Sequence, residues 1–176
     1  MDLEFDVVDL GEPDNPDEGD RAPDFERPLV NDEYWEDTSL SELTAEGPVA
    51  LVFYPMDGAF PATYIWNELR DRDIDSYDVT VVGLSISTPY EHKTLLEERT
   101  IEDTGIRLFS DPSNEVAEQY GIVNDLDGMH GVDEPRTATF VIDGERTVQY
   151  AWAAREHPEF PDYDEFEAAV EDAADD

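Results

Sequence analysis

The sequence predicts an α/β fold built on a mixed sheet, and three observations carry that prediction. Two short apolar runs of strand type, Val49–Tyr54 and Val79–Ser85, each lead into a segment with helical periodicity. Further on, Thr137–Ile142 and Thr147–Trp152 flank Asp143-Gly144, a strong short-range hairpin signal. The chain then ends on Tyr163–Ala174, an amphipathic helix whose first turn is rich in acid, as the positive end of the helix dipole prefers. Strands alternating with helices imply parallel pairing in the first half. The hairpin and last helix complete a mixed central sheet with helices on both faces.

Taken in order, residues 1–18 read as an N-terminal extension. A short alternating stretch (Leu3, Phe5, Val7) suggests an edge strand, and a linker rich in Pro, Asp and Gly follows it. Residues 19–176 read as one domain, with no internal repeat. Thr38–Leu43 is a short helix with a Ser/Thr start and Glu42 three residues after Ser39, the capping-box spacing. Val49–Tyr54 is the first buried strand, and Thr63–Asp71, with apolar Tyr64, Ile65, Trp66 and Leu69, the helix after it. Val79–Ser85 is the second buried strand. Thr88-Pro89 places a cap and then Pro at the first helical position, opening a helix to about Arg99. Leu108–Asp111 is a short strand ending at a turn, and Asn114–Tyr120 a helix closed by Gly121.

The formal net charge is −37, from 47 acidic and 10 basic residues, with Lys93 the sole lysine. The acids are spread along the whole chain, which reads as a solvated surface rather than a binding tail. So much like charge repels itself in dilute buffer, while at about 1 M salt the Debye length falls to roughly 3 Å. The simplest reading is adaptation to a salt-rich cytoplasm, and the rival is an acidic protein with a basic partner. Nucleic acid is disfavoured as a partner, since phosphate affinity needs clustered Lys and Arg. No apolar run reaches the ~20 residues that cross a bilayer, so no membrane role is expected. The first residues carry neither a basic n-region nor an apolar h-region, so a cytoplasmic location is expected. There is no cysteine, which removes disulfides, zinc-thiolate sites and thiol catalysis together.

Four segments carry a family likeness. Gly19-Asp20-Arg21-Ala22-Pro23-Asp24-Phe25 has the form G-x-x-A-P-D-F. Val49–Thr63 contains Pro55, Ala59 and Ala62 at the spacing P-x-x-x-T-x-x-C. Gly83-Leu84-Ser85 with Glu91-His92 is a strand leading to a helix, and Arg107–Asp111 accompanies it. Pro135–Asp143 has the look of R-x-T-F-V-I-D, with Arg136 as its arginine. In this order the segments resemble the peroxiredoxin family over about Gly19–Trp152. The resemblance implies a thioredoxin-like fold.

In that family a cysteine in the first turn of a helix attacks peroxide and becomes a sulfenic acid, which another thiol reduces. Helix-end amides and an arginine lower the thiol pKa, and the Thr hydroxyl helps orient the peroxide. Carried onto this chain, Pro55 and Arg136 are retained, the Thr position is Ala59 and the Cys position is Ala62. The vestigial site therefore has no intact catalytic residue, and no cofactor or metal is expected. Ala62 is either natural divergence or a replacement of a native cysteine; two altered motif positions favour divergence. The resulting expectation is a silent, binding or regulatory module, acting as a homodimer or with a protein partner. Its alternative is a thiol peroxidase whose native form has Cys at 62.

Other candidates read more simply. Arg136 is either an anion holder at the vestigial pocket or a partner for surface acids. Met56 is open to slow oxidation rather than turnover. Asp57, beside the motif, is a base on paper, yet the family commonly has an acid there without that role. His92, His130 and His157 lie far apart in sequence. His130, in the glycine-flanked loop Asp127–Gly131, reads as a solvated loop residue before a metal ligand with Asp127. Tyr54, Trp66 and Trp152 read as core or interface aromatics.

Overall fold

The computed structural model of the chain describes residues 7–99, 101, 104–124 and 131–175. Leu3, Phe5, Asp127 and His130 lie outside the described residues.

A seven-stranded sheet carries the fold. Its strands are β2 (Glu26–Val30), β3 (Trp35–Ser39), β4 (Val49–Phe53), β5 (Thr80–Ser85), β6 (Arg107–Ser110), β9 (Ala138–Ile142) and β10 (Val148–Ala153), in the order β10-β9-β4-β5-β6-β2-β3. The centre, β4-β5-β6, is parallel, while β9 and β10 on one side and β2 and β3 on the other run antiparallel. Every residue of β4 and β9 is buried, as expected of strands covered on both faces. β3, at one edge, carries exposed Glu36 and Asp37, charges that oppose edge-to-edge pairing.

Helix α2 (Phe60–Asp71) follows β4 and α3 (Pro89–Glu98) follows β5, the crossovers that parallel strands need. With α5 (Tyr163–Ala174) they supply Ile65, Trp66, Leu95, Leu96, Phe166 and Val170 to one apolar cluster, on the face that also holds Val52 and Tyr54. Short helices α1 (Leu40–Thr44) and α4 (Glu115–Gln119) supply Leu43, Val116 and Ala117 to the opposite cluster, with Phe25, Phe53 and Phe140. Trp66 crosses β5 so closely that a Cβ on Gly83 would lie 2.4 Å from its ring, which is why that strand position is glycine.

The segment read as extension and linker lies against the domain. Its β1 (Val8–Asp9) pairs with β11 (Glu156–His157). Leu10 N–H then donates to the Arg155 carbonyl at 2.9 Å and Gly19 N–H to that of Val148 at 2.9 Å. The strap passes Gly121 so tightly that a Cβ there would sit 2.1 Å from the Asp14 carbonyl oxygen, and φ at Gly121 is +70°. A short pair, β7 (Val123–Asn124) with β8 (Glu134–Pro135), completes the elements.

Several boundaries differ from the sequence reading. α2 starts at Phe60, three residues early, because Pro61 falls in the first turn, where a missing N–H costs nothing. The β9–β10 connection spans 143–147, with positive φ at Arg146 rather than at Gly144. Asp143 organises it instead, accepting from Glu145 N–H and Thr147 N–H at 2.9 Å each.

Candidate functional site

The residues of the P-x-x-x-T-x-x-C spacing fall at the carboxyl end of the parallel strands, where β4 hands over to α2. The open sheet offers its ligand crevice at this end. Pro55 is buried directly after β4, and Ala59 is the N-cap of α2.

The start of α2 is a poor anion cradle. Ala59 offers no side-chain cap, Pro61 has no N–H, and the Ala62 N–H is already bonded to the Ala59 carbonyl at 3.1 Å. Ala62 itself is fully buried, a member of the apolar cluster with Tyr54, Ile65 and Trp66. A cavity of about 220 Å³ opens beside Asp57 and Gly58, lined also by Glu91, Thr94, Leu95 and Glu98. Its charged lining is acidic.

Arg136 is placed elsewhere. Its guanidinium donates to Asn124 Oδ1 at 2.8 Å, to the Ala154 carbonyl at 2.7 Å, and to the Gly11 and Leu10 carbonyls at 3.1 Å each. It therefore fastens the N-terminal strap to the domain, and burial lowers its pKa from the usual arginine range. The register of β9 bears on the side chain's direction. Ala138, Phe140 and Ile142 of β9 belong to the cluster opposite α2, whereas Val141 belongs to the cluster that contains Ala62. Side chains alternate with period two, so even positions of this strand face away from Ala62. Counting back through R-x-T-F from Phe140, the motif's arginine falls on Thr137, which is buried. Arg136 is one residue out of step, and its donors serve the strap.

The structure does bring together three residues that the sequence reading kept apart. Asp57 Oδ1 accepts from the Tyr54 hydroxyl at 2.6 Å, and Asp57 Oδ2 lies 2.7 Å from His92 Nδ1. His92 Nε2 lies 2.9 Å from the Phe109 carbonyl, and the imidazole is fully buried. A carbonyl only accepts, so Nε2 is the donor in that contact. Asp57 N–H donates to Ser87 Oγ at 2.8 Å, and Ser110 Oγ donates to the Ser87 carbonyl at 2.6 Å. Burial first, and then the Asp57 charge, push the Tyr54 phenol well above its ordinary value. Both ring nitrogens of His92 are thus engaged, and neither is set against a serine hydroxyl as a nucleophile's base would be. The group ties the loop after β4, the turn after β5, the first turn of α3 and the end of β6 into one unit. Asp57 and His92 were visible in their motifs. Their meeting follows only from the adjacency of β4 and β5, which puts the ends of both strands side by side.

Among the other candidates, Trp66 and Tyr54 are buried and meet edge to face at 5.5 Å between centroids, as core aromatics do. Trp152 is half-buried on β10 and lines a cavity of about 470 Å³ with Glu12, Asn15 and Arg155. His157 is buried in β11, far along the chain from the His92 group.

A family model of the AhpC/TSA family matches residues 18–151. A 2-Cys peroxiredoxin, BAS1, from the chloroplast of Spinacia oleracea is 26% identical over 139 residues, 76% of this chain and 51% of that protein. The chain thus spans about half the length of that relative. A chloroplast peroxiredoxin Q of Triticum aestivum is 29% identical over 143 residues, 80% of this chain and 61% of the relative. Among solved structures, peroxidoxin BcpB from Mycobacterium tuberculosis superposes with a TM-score of 0.71 at 28% identity, covering 88% of this chain and 96% of the other. A thiol peroxidase from Chromobacterium violaceum shares the fold, with a TM-score of 0.71 at 20% identity over 94% of this chain and 91% of that one. The chain belongs to the AhpC/TSA family. Its fold is the thioredoxin-like fold of the peroxiredoxins.

Proposed function

We propose that this chain is a peroxiredoxin-family protein without thiol-peroxidase activity, which acts by binding, in a salt-rich cytoplasm. One observation carries the reading. The family's nucleophile position is Ala62, sealed in an apolar cluster of a chain that contains no cysteine. The surroundings agree with it. The start of α2 lacks a polar cap, the nearby cavity is lined with acid, and Arg136 is engaged with the N-terminal strap. The charge of −37 supports the high-salt setting, because compaction at that charge is favoured by screening. The partner is a protein, a second copy of the chain included.

The test is peroxide consumption in molar KCl with excess thiol, against a no-protein control. The expected result is no thiol-dependent turnover above the control. Turnover above the control overturns the proposal. A native gene encoding Cys at position 62 would establish instead that the Ala62 chain is an inactivated enzyme.

A further inference from the structure

A buried carboxamide stands without a partner just past the carboxyl end of β6. Asn114 is 7% exposed, and neither its Oδ1 nor its Nδ2 has a hydrogen-bond partner. Its place in the fold does not require this side chain. Asn114 precedes α4 with φ +61°, a left-handed conformation that glycine adopts at least as readily and without polar atoms to bury. Nor does the side chain cap the helix, the usual task of an asparagine at this position. Asp111 serves the helix start instead, its Oδ2 accepting from Val116 N–H at 2.9 Å. A buried polar group left unbonded works against the fold, so its presence calls for a reason.

Asn114 lines a cavity of about 370 Å³, a volume suited to a small molecule. The cavity lies past the ends of β5 and β6, the end at which open parallel sheets take ligands. We propose that it binds a small molecule bearing a primary carboxamide, paired edge to edge with the Asn114 side chain. That side chain carries a donor and an acceptor side by side. A primary amide offers the matching pair, a C=O and the N–H beside it, and satisfies both atoms at once. A trans peptide group cannot, because its N–H and C=O point opposite ways. The last torsion of an asparagine is soft, so the amide edge turns to its occupant without moving the backbone. Ile86, Val123 and Val132 give the cavity apolar walls for the body of the ligand. Glu118 and Asp133 are its charged lining among the described residues, and they disfavour a carboxylate. Two arginines bond to chain neighbours of the lining, and both are engaged. Arg27 pairs with Asp111 and Glu115, and Arg136 bonds Asn124 and the strap carbonyls. The site does not depend on the chemistry of position 62.

The experiment titrates the full chain, labelled with nitrogen-15 and held in molar KCl, with nicotinamide, following the side-chain NH2 signals of asparagine by NMR. Two probes of similar shape serve as controls. Nicotinic acid replaces the amide with a carboxylate, and the N-methyl amide of nicotinic acid blocks the N–H beside the C=O. Asn114→Gly and Asn114→Asp both suit the positive φ, assign the Asn114 signals by their loss, and are checked for folding by their melting curves. The expected result is a saturable shift of the Asn114 NH2 signals with nicotinamide and none with either control. Each variant is expected to bind nicotinamide roughly five- to hundred-fold more weakly, the worth of two hydrogen bonds. Silent Asn114 signals would mean that water alone occupies the cavity and would overturn the proposal. So would an equal response to the carboxylate or the N-methyl amide, or unchanged affinity in the folded variants.

Discussion

Replacing Ala62 with cysteine is the sharpest test of what the site has become. An ordinary thiol, with a pKa near 8.5, is about 3% thiolate at pH 7. The family's chemistry needs that fraction raised by cationic and amide neighbours. Position 62 offers the reverse, with full burial among Tyr54, Ile65 and Trp66, an unhelpful helix start, and Arg136 engaged with the Leu10, Gly11 and Ala154 carbonyls. Apolar burial raises a thiol pKa, and each unit upward cuts the thiolate tenfold, so a rise of one to two units leaves roughly 0.03–0.3%. A thiol activated to a pKa near 6 would be about 90% ionised at pH 7, roughly 300- to 3,000-fold more. The added sulfur also has to fit a filled site, at about 1–3 kcal/mol. Ala62→Cys is therefore expected to fold, to react with a disulfide reagent such as DTNB only slowly until denatured, and to show no thiol-dependent peroxide turnover in molar KCl. Rapid labelling of the folded variant, or turnover well above that of Ala62→Ser, would refute the burial argument and show that only the nucleophile is missing.

Four further outcomes are expected. Asp57→Asn or His92→Phe leaves a buried polar partner unmatched in the Tyr54–Asp57–His92 group. Either should cost about 3–5 kcal/mol, lowering Tm by roughly 6–20 °C in calorimetry. Arg136→Met removes the clamp on the Leu10 and Gly11 carbonyls. It should cost about 2–4 kcal/mol and speed proteolytic cleavage within residues 10–18. The tyrosine titration should be split, because Tyr54, Tyr77, Tyr120, Tyr150 and Tyr163 are all pushed up, burial leading except at Tyr77, where the Glu167 hydrogen bond leads, and Tyr163 reaches about 12. The folded state favours the neutral phenol, so this contribution is complete below pH 10 and is lost as pH climbs from 10 through the folded-state values. Absorbance at 295 nm should show these tyrosines ionising only as the fold is lost. Finally, Tm should rise steeply with KCl, and the fold should fail below roughly 0.5 M salt; an equal Tm in dilute buffer and molar KCl would contradict the charge argument.

Helices with strong end signals were the most legible part of the chain. α5 runs over Tyr163–Ala174 as its periodicity predicts, and α3 begins after Thr88 with Pro89 in its first turn and a complete capping box. Ser39 and Glu42 close the other capping box, on α1. The hairpin of β2 and β3 escaped notice for a physical reason. Glu-Arg-Pro-Leu-Val and Trp-Glu-Asp-Thr-Ser carry little strand propensity, and Pro28 argues against a sheet interior. Pro28 is tolerated because β6 pairs only with Leu29 and Val30, beyond the proline. Pairing at a sheet margin is decided by neighbours, which a local pattern does not contain.

The candidate site divides along the same line. Pro55, Ala59 and Ala62 lie within one strand–helix turn, which the fold sets at the start of α2. Arg136 had to be placed relative to them across the sheet, and there a single residue decides everything. In a strand buried on both faces every position is apolar or small, so the pattern gives no sign of which residues look toward α2. Only the pairing of β9 with β4 does, through Thr139 opposite Val52 and Ala138 opposite Phe53. That register turns Arg136 toward the strap and leaves Thr137 at the level of Tyr54. Ala62 lies in the apolar cluster with Tyr54, and Arg136 bonds the Leu10 and Gly11 carbonyls of the strap. The buried polar group Tyr54–Asp57–His92 ties the loop after β4 to α3.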